Sequence, residues 1–229
     1  MRLFDRSGPS RLVVKALVET GIWAFDWDGT LLDSIGRTLA TYREIFEELE
    51  LPFDEAAFRA AYSPNWRLMY GRLGVPADLW DGIDRRWVEI YEVEVSRLVP
   101  AAADALDWLR RHGRRLALIT AGHRDRVELE LRANGLVGMF ETAVYGDETP
   151  HQKPDPSALL LAARYLRASP SDMILVGDAP EDMLMAKRAG AIAVGVLTGA
   201  SSRRRLRSGG ARWVAPDVGS VLEPVRAGA

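Results

Sequence analysis

Two carboxylates separated by one residue follow the first apolar run of the sequence. Asp26 and Asp28 lie in the segment FDWDGTL, directly after residues 22–25. In an extended chain, side chains two residues apart point to the same side, so both carboxylates would face one site. Like charges this close repel unless a cation lies between them or one carboxyl is protonated. Both arrangements suit phosphoryl transfer, and the structural alternative is an acidic helix cap at a strand end.

A second pair of carboxylates lies in the segment VGDAPEDM. Asp178 ends another apolar run, and Asp182 follows in the helix predicted to begin near Pro180. Mg²⁺ prefers carboxylate oxygens together with retained water and substrate phosphate. Asp178 is therefore a predicted magnesium ligand alongside Asp26, and Asp182 is predicted to bind a metal-bound water or to orient its neighbours. Capping of the following helix is the structural alternative for Asp178.

A hydroxyl and an ammonium occur in two further segments. Thr120 follows the apolar run 116–119, and Lys153 lies in HQKPDP. With the backbone N–H groups that follow Thr120, beginning at Ala121, these side chains offer the donors that a bound phosphate needs. Taken singly each is weak evidence, because a threonine at a strand end is usually a turn residue and a loop lysine is usually solvated.

Short apolar runs that alternate with helical patterns would place these residues at one edge. Such runs are typical of strands buried on both faces of a parallel sheet, and the alternation predicts a doubly wound α/β domain. Ligands bind beyond the carboxyl ends of the strands in such sheets. The helix after Thr120 is the least regular element, since Val127, Leu129 and Leu131 alternate as in a strand. The runs are 22–25, 116–119, 143–145, 173–176, 191–196 and 213–215.

One stretch breaks the alternation. Between about residues 34 and 99 no strand is predicted, and an apolar stripe at helical spacing indicates helices. The sequence therefore predicts a catalytic core at 21–33 and 100–229, a helical cap domain at 34–99 over the strand ends, and an N-terminal extension at 1–20 that packs as a short helix or frays. The stripe consists of Leu39, Tyr42, Ile45, Phe46 and Leu49.

Composition excludes several classes of function. The 229 residues carry a formal net charge of -2, so no basic field would attract nucleic acid or an anionic membrane surface. The absence of cysteine excludes thiolate catalysis, disulfides and cysteine-ligated zinc. No run is long and apolar enough to span a bilayer. We expect a cytoplasmic protein whose partner is a small molecule, either as a monomer or as a weak dimer.

The four segments that contain Asp26, Thr120, Lys153 and Asp178, in this order, resemble the motifs of the haloacid dehalogenase superfamily of phosphohydrolases. FDWDGTLLDS is similar to its first motif, LALIT to its second, KPDP to its third and VGDAPED to its fourth. The likeness covers about residues 22–215, and the helical insert resembles the α-helical cap of the superfamily. Within it the chain looks most like the phosphoglycolate-phosphatase-like group. The resemblance implies a Rossmann-like core, magnesium dependence and an aspartyl-phosphate intermediate.

The resemblance also implies a role for each motif residue. Asp26 would attack phosphorus, and Asp28 would protonate the leaving oxygen, activate the hydrolytic water and offer its backbone carbonyl to magnesium. Thr120 and Lys153 would hold the non-bridging oxygens, and Asp178 would complete the metal site. The implied enzyme is a magnesium-dependent phosphoric monoester hydrolase that acts on phosphoglycolate, a sugar phosphate or a nucleoside monophosphate.

The cap segment YSPNWRLMYG would supply specificity. By the same resemblance, a turn between cap helices reaches the leaving group, and Asn65, Trp66 and Arg67 are the groups that it could offer. Arg67 could bind a second anionic group of the substrate in bidentate geometry. The structural alternative places Trp66 in the cap core and Arg67 in solvent.

Two other functions stay open at this point. A phosphomutase similar to β-phosphoglucomutase would share Asp26 and Asp28 but return an isomerised sugar phosphate. A non-catalytic binding protein on the same fold is the alternative from another class, because a fold alone does not prove activity. Metal-dependent turnover of p-nitrophenyl phosphate and analysis of the product would separate these alternatives.

Overall fold

The computed structural model describes residues 8–91 and 95–227, which form strands, helices and two short 3₁₀ turns. The strands are β1 (Ile22–Phe25), β2 (Arg115–Ile119), β3 (Thr142–Val144), β4 (Met173–Gly177), β5 (Ile192–Val196) and β6 (Trp213–Ala215). The helices are α1 (Arg11–Glu19), α2 (Ile35–Glu48), α3 (Glu55–Ala61), α4 (Trp66–Leu73), α5 (Trp80–Tyr91), α6 (Ala102–Arg111), α7 (Arg124–Ala133), α8 (Ser157–Tyr165), α9 (Pro180–Ala189), α10 (Arg203–Gly209) and α11 (Val218–Ala227).

The strands form one parallel sheet in the order β3-β2-β1-β4-β5-β6. The central strand β1 pairs with β2 on one side and with β4 on the other, so the direction of winding reverses beside it. Ligands of open α/β sheets bind beyond the carboxyl ends of the strands at such a switch point. Asp26 follows β1 and Asp178 follows β4, so both lie there. The predicted Rossmann-like doubly wound α/β fold is confirmed.

Side chains alternate between the two faces of the sheet, and each face carries its own hydrophobic core. Trp23 and Phe25 of β1 belong to a core with buried residues of α1, α6, α7 and α11. Ile22 and Ala24 belong to a second core with α8, α9 and α10. Burial of both faces explains why these strands appear in the sequence as continuous apolar runs.

The cap consists of α2–α5, inserted between β1 and α6. Its core is rich in aromatic residues: the Tyr42 ring lies 5.0 Å from that of Phe58 and 6.1 Å from that of Tyr70, between ring centroids. The predicted stripe of α2 is buried as far as Phe46, but Leu49 is exposed, because it follows the last residue of the helix. The limits 34–99 stay a prediction, and all four helices lie within them.

The segment after β2 is helical, although its apolar residues alternate. In α7, Val127 and Leu131 are buried, while Leu129 is exposed. Residues four apart share one face of a helix and the residue midway between them does not. The helical prediction for this segment is confirmed.

The N-terminal extension contributes one described helix. Val13 and Leu17 of α1 are buried in the core, and α1 packs against α11. Residues 1–7 of the predicted extension lie outside the described residues. Among the helices that are described, none has the length and apolar character needed to cross a membrane.

Candidate active site

Asp26 lies at the centre of the site. Its side chain is buried, the Nζ of Lys153 donates to its Oδ1 at 2.5 Å, and the hydroxyl of Thr30 donates to its Oδ2 at 3.1 Å. Burial raises the pKa of Asp26 to about 7, with Lys153 opposing this rise and the nearby carboxylates of Asp182 and Asp28 adding to it. Lys153 compensates the charge of this carboxylate only in part, which favours a further cation beside it.

Lys153 joins two carboxylates from different loops. Its buried Nζ lies 2.5 Å from Asp26 Oδ1 and 2.7 Å from Asp182 Oδ1, and it donates to the carbonyl of Ile119 at 3.0 Å. Burial alone would lower the pKa of Lys153, but Asp182 and Asp26 outweigh it and raise the pKa above its usual value. The ammonium therefore stays charged next to the position where a phosphate would bind.

A group of three buried carboxylates is able to hold a metal ion. Ligand oxygens of Asp26, Asp178 and Asp182 lie within 4.8 Å of one another. Asp178 Oδ2 is buried without a hydrogen-bond partner, and burial, followed by the charges of Asp26 and Asp182, raises the pKa of Asp178 well above its usual value. An all-oxygen donor set with an unpartnered carboxylate oxygen fits Mg²⁺. Asp182 is already engaged, since its Oδ2 accepts from the N–H of Ala179 at 3.1 Å.

Two glycines allow the backbone to approach the carboxylate of Asp178. A Cβ on Gly29, whose φ is +75°, would lie 2.9 Å from Asp178 Oδ2, and a Cβ on Gly199 would lie 1.6 Å from the same atom. Only a residue without a side chain fits at these distances. The glycine after Asp28 therefore serves both the tight turn and the close approach to the Asp178 carboxylate of the candidate metal site.

The predicted phosphate-binding residues of the second motif lie close by. Thr120 is buried, and its Oγ1 accepts from the N–H of Gly122 at 3.0 Å. Ala121 and Gly122 line the cavity together with Asp26, whereas Thr120 lies behind that surface. The structure thus brings the predicted threonine and the backbone after it to the same edge as the nucleophile candidate.

The sequence analysis missed a buried arginine that binds Asp28. Arg126 of α7, 8% exposed, donates from Nη2 to Asp28 Oδ2 at 2.6 Å and from Nη1 to Asp28 Oδ1 at 3.2 Å. The same Nη1 donates to Glu130 at 3.0 Å, and the indole N–H of Trp27 donates to Glu130 at 2.7 Å. A Cβ on Gly122 would lie 2.2 Å from Arg126 Nη2, so this glycine leaves room for the guanidinium. The i, i+4 spacing of Arg126 and Glu130 was a signal for their pairing within α7, but not for the contact with Asp28.

A cavity of about 310 Å³ lies between the core and the cap. This volume fits a small ester rather than a polymer. Its floor, on the core side, is lined by Asp26, Asp28, Ala121, Gly122, His123, Arg126, Gly146, Gln152 and Asp178. Its roof, on the cap side, is lined by Thr38, Tyr42, Tyr62, Ser63, Pro64, Trp66, Met69, Asp84, Trp87 and Val88.

Polar contacts hold the cap against the core on one side of this cavity. The hydroxyl of Ser63 in the cap donates to Glu181 of α9 at 2.9 Å, and Arg72 lies 3.2 Å from the same carboxylate oxygen. From α10, Arg205 donates to the cap carbonyl of Tyr62 at 3.0 Å. The cavity is therefore covered by the cap in this conformation.

The predicted cap residues lie in different places. Asn65 caps α4, accepting from the N–H of Leu68 at 3.3 Å, and its Nδ2 donates to the carbonyl of Lys153 at 3.5 Å. The Arg67 side chain is 60% exposed, stacks on Trp66 and lies 3.9 Å from Asp81. Arg67 does not line the cavity, because α4 turns Trp66 and Met69, three residues apart, toward it. Its role in specificity stays a prediction that this position does not favour.

Fold and site together define a class of protein: a parallel α/β core with a buried aspartate after its central strand, beneath a helical cap. The family described as haloacid dehalogenase-like hydrolase matches residues 23–196. The chain belongs to this family, in its phosphoglycolate-phosphatase-like group. The sequence prediction of a phosphoric monoester hydrolase is confirmed.

Individual relatives agree with this assignment. The chain is 27% identical over 215 residues to the phosphoglycolate phosphatase of Vibrio parahaemolyticus, covering 88% of this chain and 94% of that one. It is 29% identical over 184 residues to the pyrophosphatase PpaX of Bacillus velezensis, covering 75% of this chain and 81% of that one. A haloacid dehalogenase-like hydrolase structure from Bacteroides fragilis superimposes with a TM-score of 0.81 at 23% identity, covering 88% of this chain and 99% of that one.

Proposed function

We propose that this chain is a magnesium-dependent phosphatase that hydrolyses a small phosphate monoester through an aspartyl-phosphate on Asp26. The observation that carries the proposal is the position of Asp26, buried beyond β1 at the switch point and held by Lys153 and Thr30. Its relatives include enzymes named for phosphoglycolate and for pyrophosphate. The shared chemistry is therefore transfer of a phosphoryl group from a small molecule to water.

In the first step, a carboxylate oxygen of Asp26 forms a bond to phosphorus while the bond from phosphorus to the ester oxygen breaks. Asp28 gives its proton to the departing oxygen, so the product leaves as a neutral alcohol. In the second step, Asp28 takes a proton from water as that water attacks phosphorus, and the bond between phosphorus and Asp26 breaks. Inorganic phosphate is released and both carboxyl groups return to their starting states.

The other residues position the phosphoryl group. Lys153 and Thr120, with the backbone at Ala121, would hold the non-bridging oxygens. Asp26, Asp178 and the backbone carbonyl of Asp28 would hold Mg²⁺, which when bound supplies neutralising charge to the phosphate and the carboxylates. The contacts of Asp182 with Lys153 and Ala179 support these groups from behind.

Asp28 must break its contact with Arg126 before it can act as general acid and base. Both of its carboxylate oxygens accept from the guanidinium in this structure. We infer that Arg126 holds the ionised Asp28 beside the cavity, and that Asp28 leaves the guanidinium and takes a proton from solvent before it meets the leaving oxygen. Since the guanidinium Cζ lies 5.4 Å from the ring centroid of Tyr91 in the cap, this arginine also links the acid to the cap.

Trapping the intermediate tests the proposal directly. Acid-quenched enzyme, mixed with p-nitrophenyl phosphate and Mg²⁺, is reduced with borohydride, which converts an aspartyl-phosphate to a homoserine side chain. We expect mass spectrometry to find this change at position 26. The exposed Asp33 in the same motif gives a matched control, because Asp33→Asn should keep the signal while Asp26→Asn loses it. A signal at another residue, or turnover without any signal, would contradict the covalent mechanism.

Product analysis tests the phosphomutase alternative. Release of inorganic phosphate from a sugar phosphate supports the phosphatase, and an isomerised sugar phosphate in its place supports a mutase.

We further propose a cytoplasmic location, with which the absence of cysteine is compatible.

A further inference from the structure

The roof of the cavity surrounds the part of the substrate that the floor does not bind. The floor offers Asp26 and Asp178 to the phosphate end, so the leaving group must lie against the cap. The side chains of the roof therefore indicate which leaving groups the cavity can bind. This step rests on the proposed function.

Asp84 supplies the one carboxylate of the roof within the described lining. It is half-buried on α5, and the hydroxyl of Tyr70 donates to its Oδ1 at 3.0 Å. Asp84 forms no ion pair with any residue that the structure describes, since the neighbouring Arg67 lies in solvent beside Asp81. Burial raises the pKa of Asp84 to about 6, with Tyr70 and Arg67 opposing the rise, so the group is ionised at neutral pH. The cavity thus contains a carboxylate that no ion pair among the described residues neutralises.

Cations that could bind a second anion of the substrate are scarce at this site. Among the described lining residues Arg126 is the one arginine or lysine, and its guanidinium is occupied by Asp28 and Glu130. His123, on the floor, is exposed. A leaving group with a carboxylate would meet the carboxylate of Asp84, and the two like charges would repel.

Aromatic rings complete the roof. Tyr42, Tyr62, Trp66 and Trp87 all line the cavity. The face of an aromatic ring attracts cations, and rings beside a carboxylate are typical of sites that bind ammonium groups. The same rings provide the apolar surface that a methyl or methylene group needs.

We propose that the leaving group of the substrate carries a cationic nitrogen, a protonated amine or a quaternary ammonium, which lies among these rings with Asp84 as its counter-ion. The natural substrate is then a phosphate monoester of an amino alcohol rather than of a hydroxy acid. Although the chain belongs to a group named for phosphoglycolate phosphatase, its cavity selects against the carboxylate of phosphoglycolate.

Three esters of matched size test the charge preference. Phosphoethanolamine, 2-phosphoglycolate and ethylene glycol monophosphate carry an ammonium, a carboxylate and a hydroxyl at the same distance from the ester oxygen. We expect kcat/KM for phosphoethanolamine to exceed that for the other two by about 10-fold or more, the size of a desolvated cation–π contact. An equal or higher value for phosphoglycolate, or no preference over the neutral ester, overturns the proposal.

A matched pair of variants assigns the preference to Asp84. In Asp84→Asn the ratio of kcat/KM for phosphoethanolamine to that for phosphoglycolate should fall about 10-fold or more, as the counter-ion is lost. In Glu89→Gln, which changes an exposed carboxylate elsewhere on the same helix, the ratio should stay the same. A ratio is independent of the fraction of folded enzyme, so a destabilised variant does not imitate this result. An equal fall in both variants, or in neither, overturns the assignment.

The failure of this proposal is distinguishable from failure of the proposed function. If p-nitrophenyl phosphate is hydrolysed and the three esters show no ammonium preference, the phosphatase stands and the substrate class is wrong. If no ester is hydrolysed, the proposed function fails, and calorimetry with phosphocholine and 2-phosphoglycolate then tests the cavity alone. Binding of phosphocholine that weakens in Asp84→Asn supports the site, and binding that is absent or indifferent to Asp84 overturns it.

Discussion

The floor and the roof of the cavity differ in how they are built. On the floor, Asp26 and Asp178 follow two strand ends, Lys153 contacts Asp26 from a third loop, and all three are buried among charged partners. On the roof, aromatic rings line the same cavity as Asp84, which accepts a hydrogen bond from a neutral hydroxyl. The floor suits a doubly charged phosphoryl group with its metal, and the roof suits a smaller, positive leaving group. One cavity thus separates the chemistry that relatives share from the chemistry that would distinguish this chain.

The largest expected effect comes from the floor. Asp26→Asn removes the nucleophile and should lower kcat by at least on the order of 10⁴-fold, as loss of a covalent catalyst does. The amide has nearly the same shape, so the circular dichroism spectrum should be unchanged. Steady-state hydrolysis of p-nitrophenyl phosphate, beside the Asp33→Asn control, measures the effect. Near-normal activity of Asp26→Asn would show that Asp26 is not the nucleophile.

Asp28 should show a loss that depends on the leaving group. Asp28→Asn should lower kcat by roughly 10²- to 10⁴-fold for an alkyl ester, the usual contribution of a general acid and base. For p-nitrophenyl phosphate, whose leaving group needs no proton, the loss should be clearly smaller. Parallel kinetics with the two substrates measure the difference. Equal losses would show that Asp28 acts through the metal or the fold instead.

Arg126 connects floor and roof, and its removal should affect stability. Arg126→Met leaves Glu130 buried without its cationic partner, which typically costs about 3–5 kcal/mol in free energy of unfolding. The double variant Arg126→Met/Glu130→Gln should recover part of this loss, since it removes the unpaired charge. Urea unfolding of both variants and the wild type measures it. A single variant as stable as the wild type would show that the pair contributes nothing to the fold.

Sequence and structure agree well on the floor for a physical reason. Asp26 and Asp178 directly follow apolar runs, and parallel strands bring such positions to one edge whatever the helices do. The pairing of Arg126 with Asp28 joins residues 98 positions apart across a loop and a helix, which no spacing rule specifies. The roof depends on how four cap helices pack, so the sequence indicated Arg67 as the substrate contact and gave Asp84 no role.

The metal site should respond to loss of Asp178. Asp178→Ala should raise the Mg²⁺ concentration for half-maximal activity by at least about 10–100-fold, which is the loss typical for residues that only support a metal ligand. Asp172→Ala changes an exposed aspartate just before β4 and should leave this concentration unchanged. Ca²⁺ should inhibit, because its larger coordination shell disturbs the in-line geometry. Full activity in excess chelator would show that the reaction does not require a metal ion.

The smallest expected effect is a pH dependence confined to the roof. Burial holds the pKa of Asp84 at about 6, above its usual value, so the carboxylate is charged above pH 6 and becomes neutral as the pH falls through 6. The groups that face it are Tyr70 and Arg67 of α4, Asp81 of α5 and His123.

The ratio of kcat/KM for phosphoethanolamine to that for ethylene glycol monophosphate should therefore fall about 10-fold between pH 7.5 and pH 5, with its midpoint near 6. Titration of the two phosphate groups is similar and largely cancels in the ratio. The amine of phosphoethanolamine stays protonated and the hydroxyl of the other ester stays neutral across this range. Asp84→Asn should give a low ratio at every pH, while Glu89→Gln should follow the wild type. A ratio that does not change with pH in the wild type would show that the charge of Asp84 does not select the leaving group. The roof would then select substrates by shape alone.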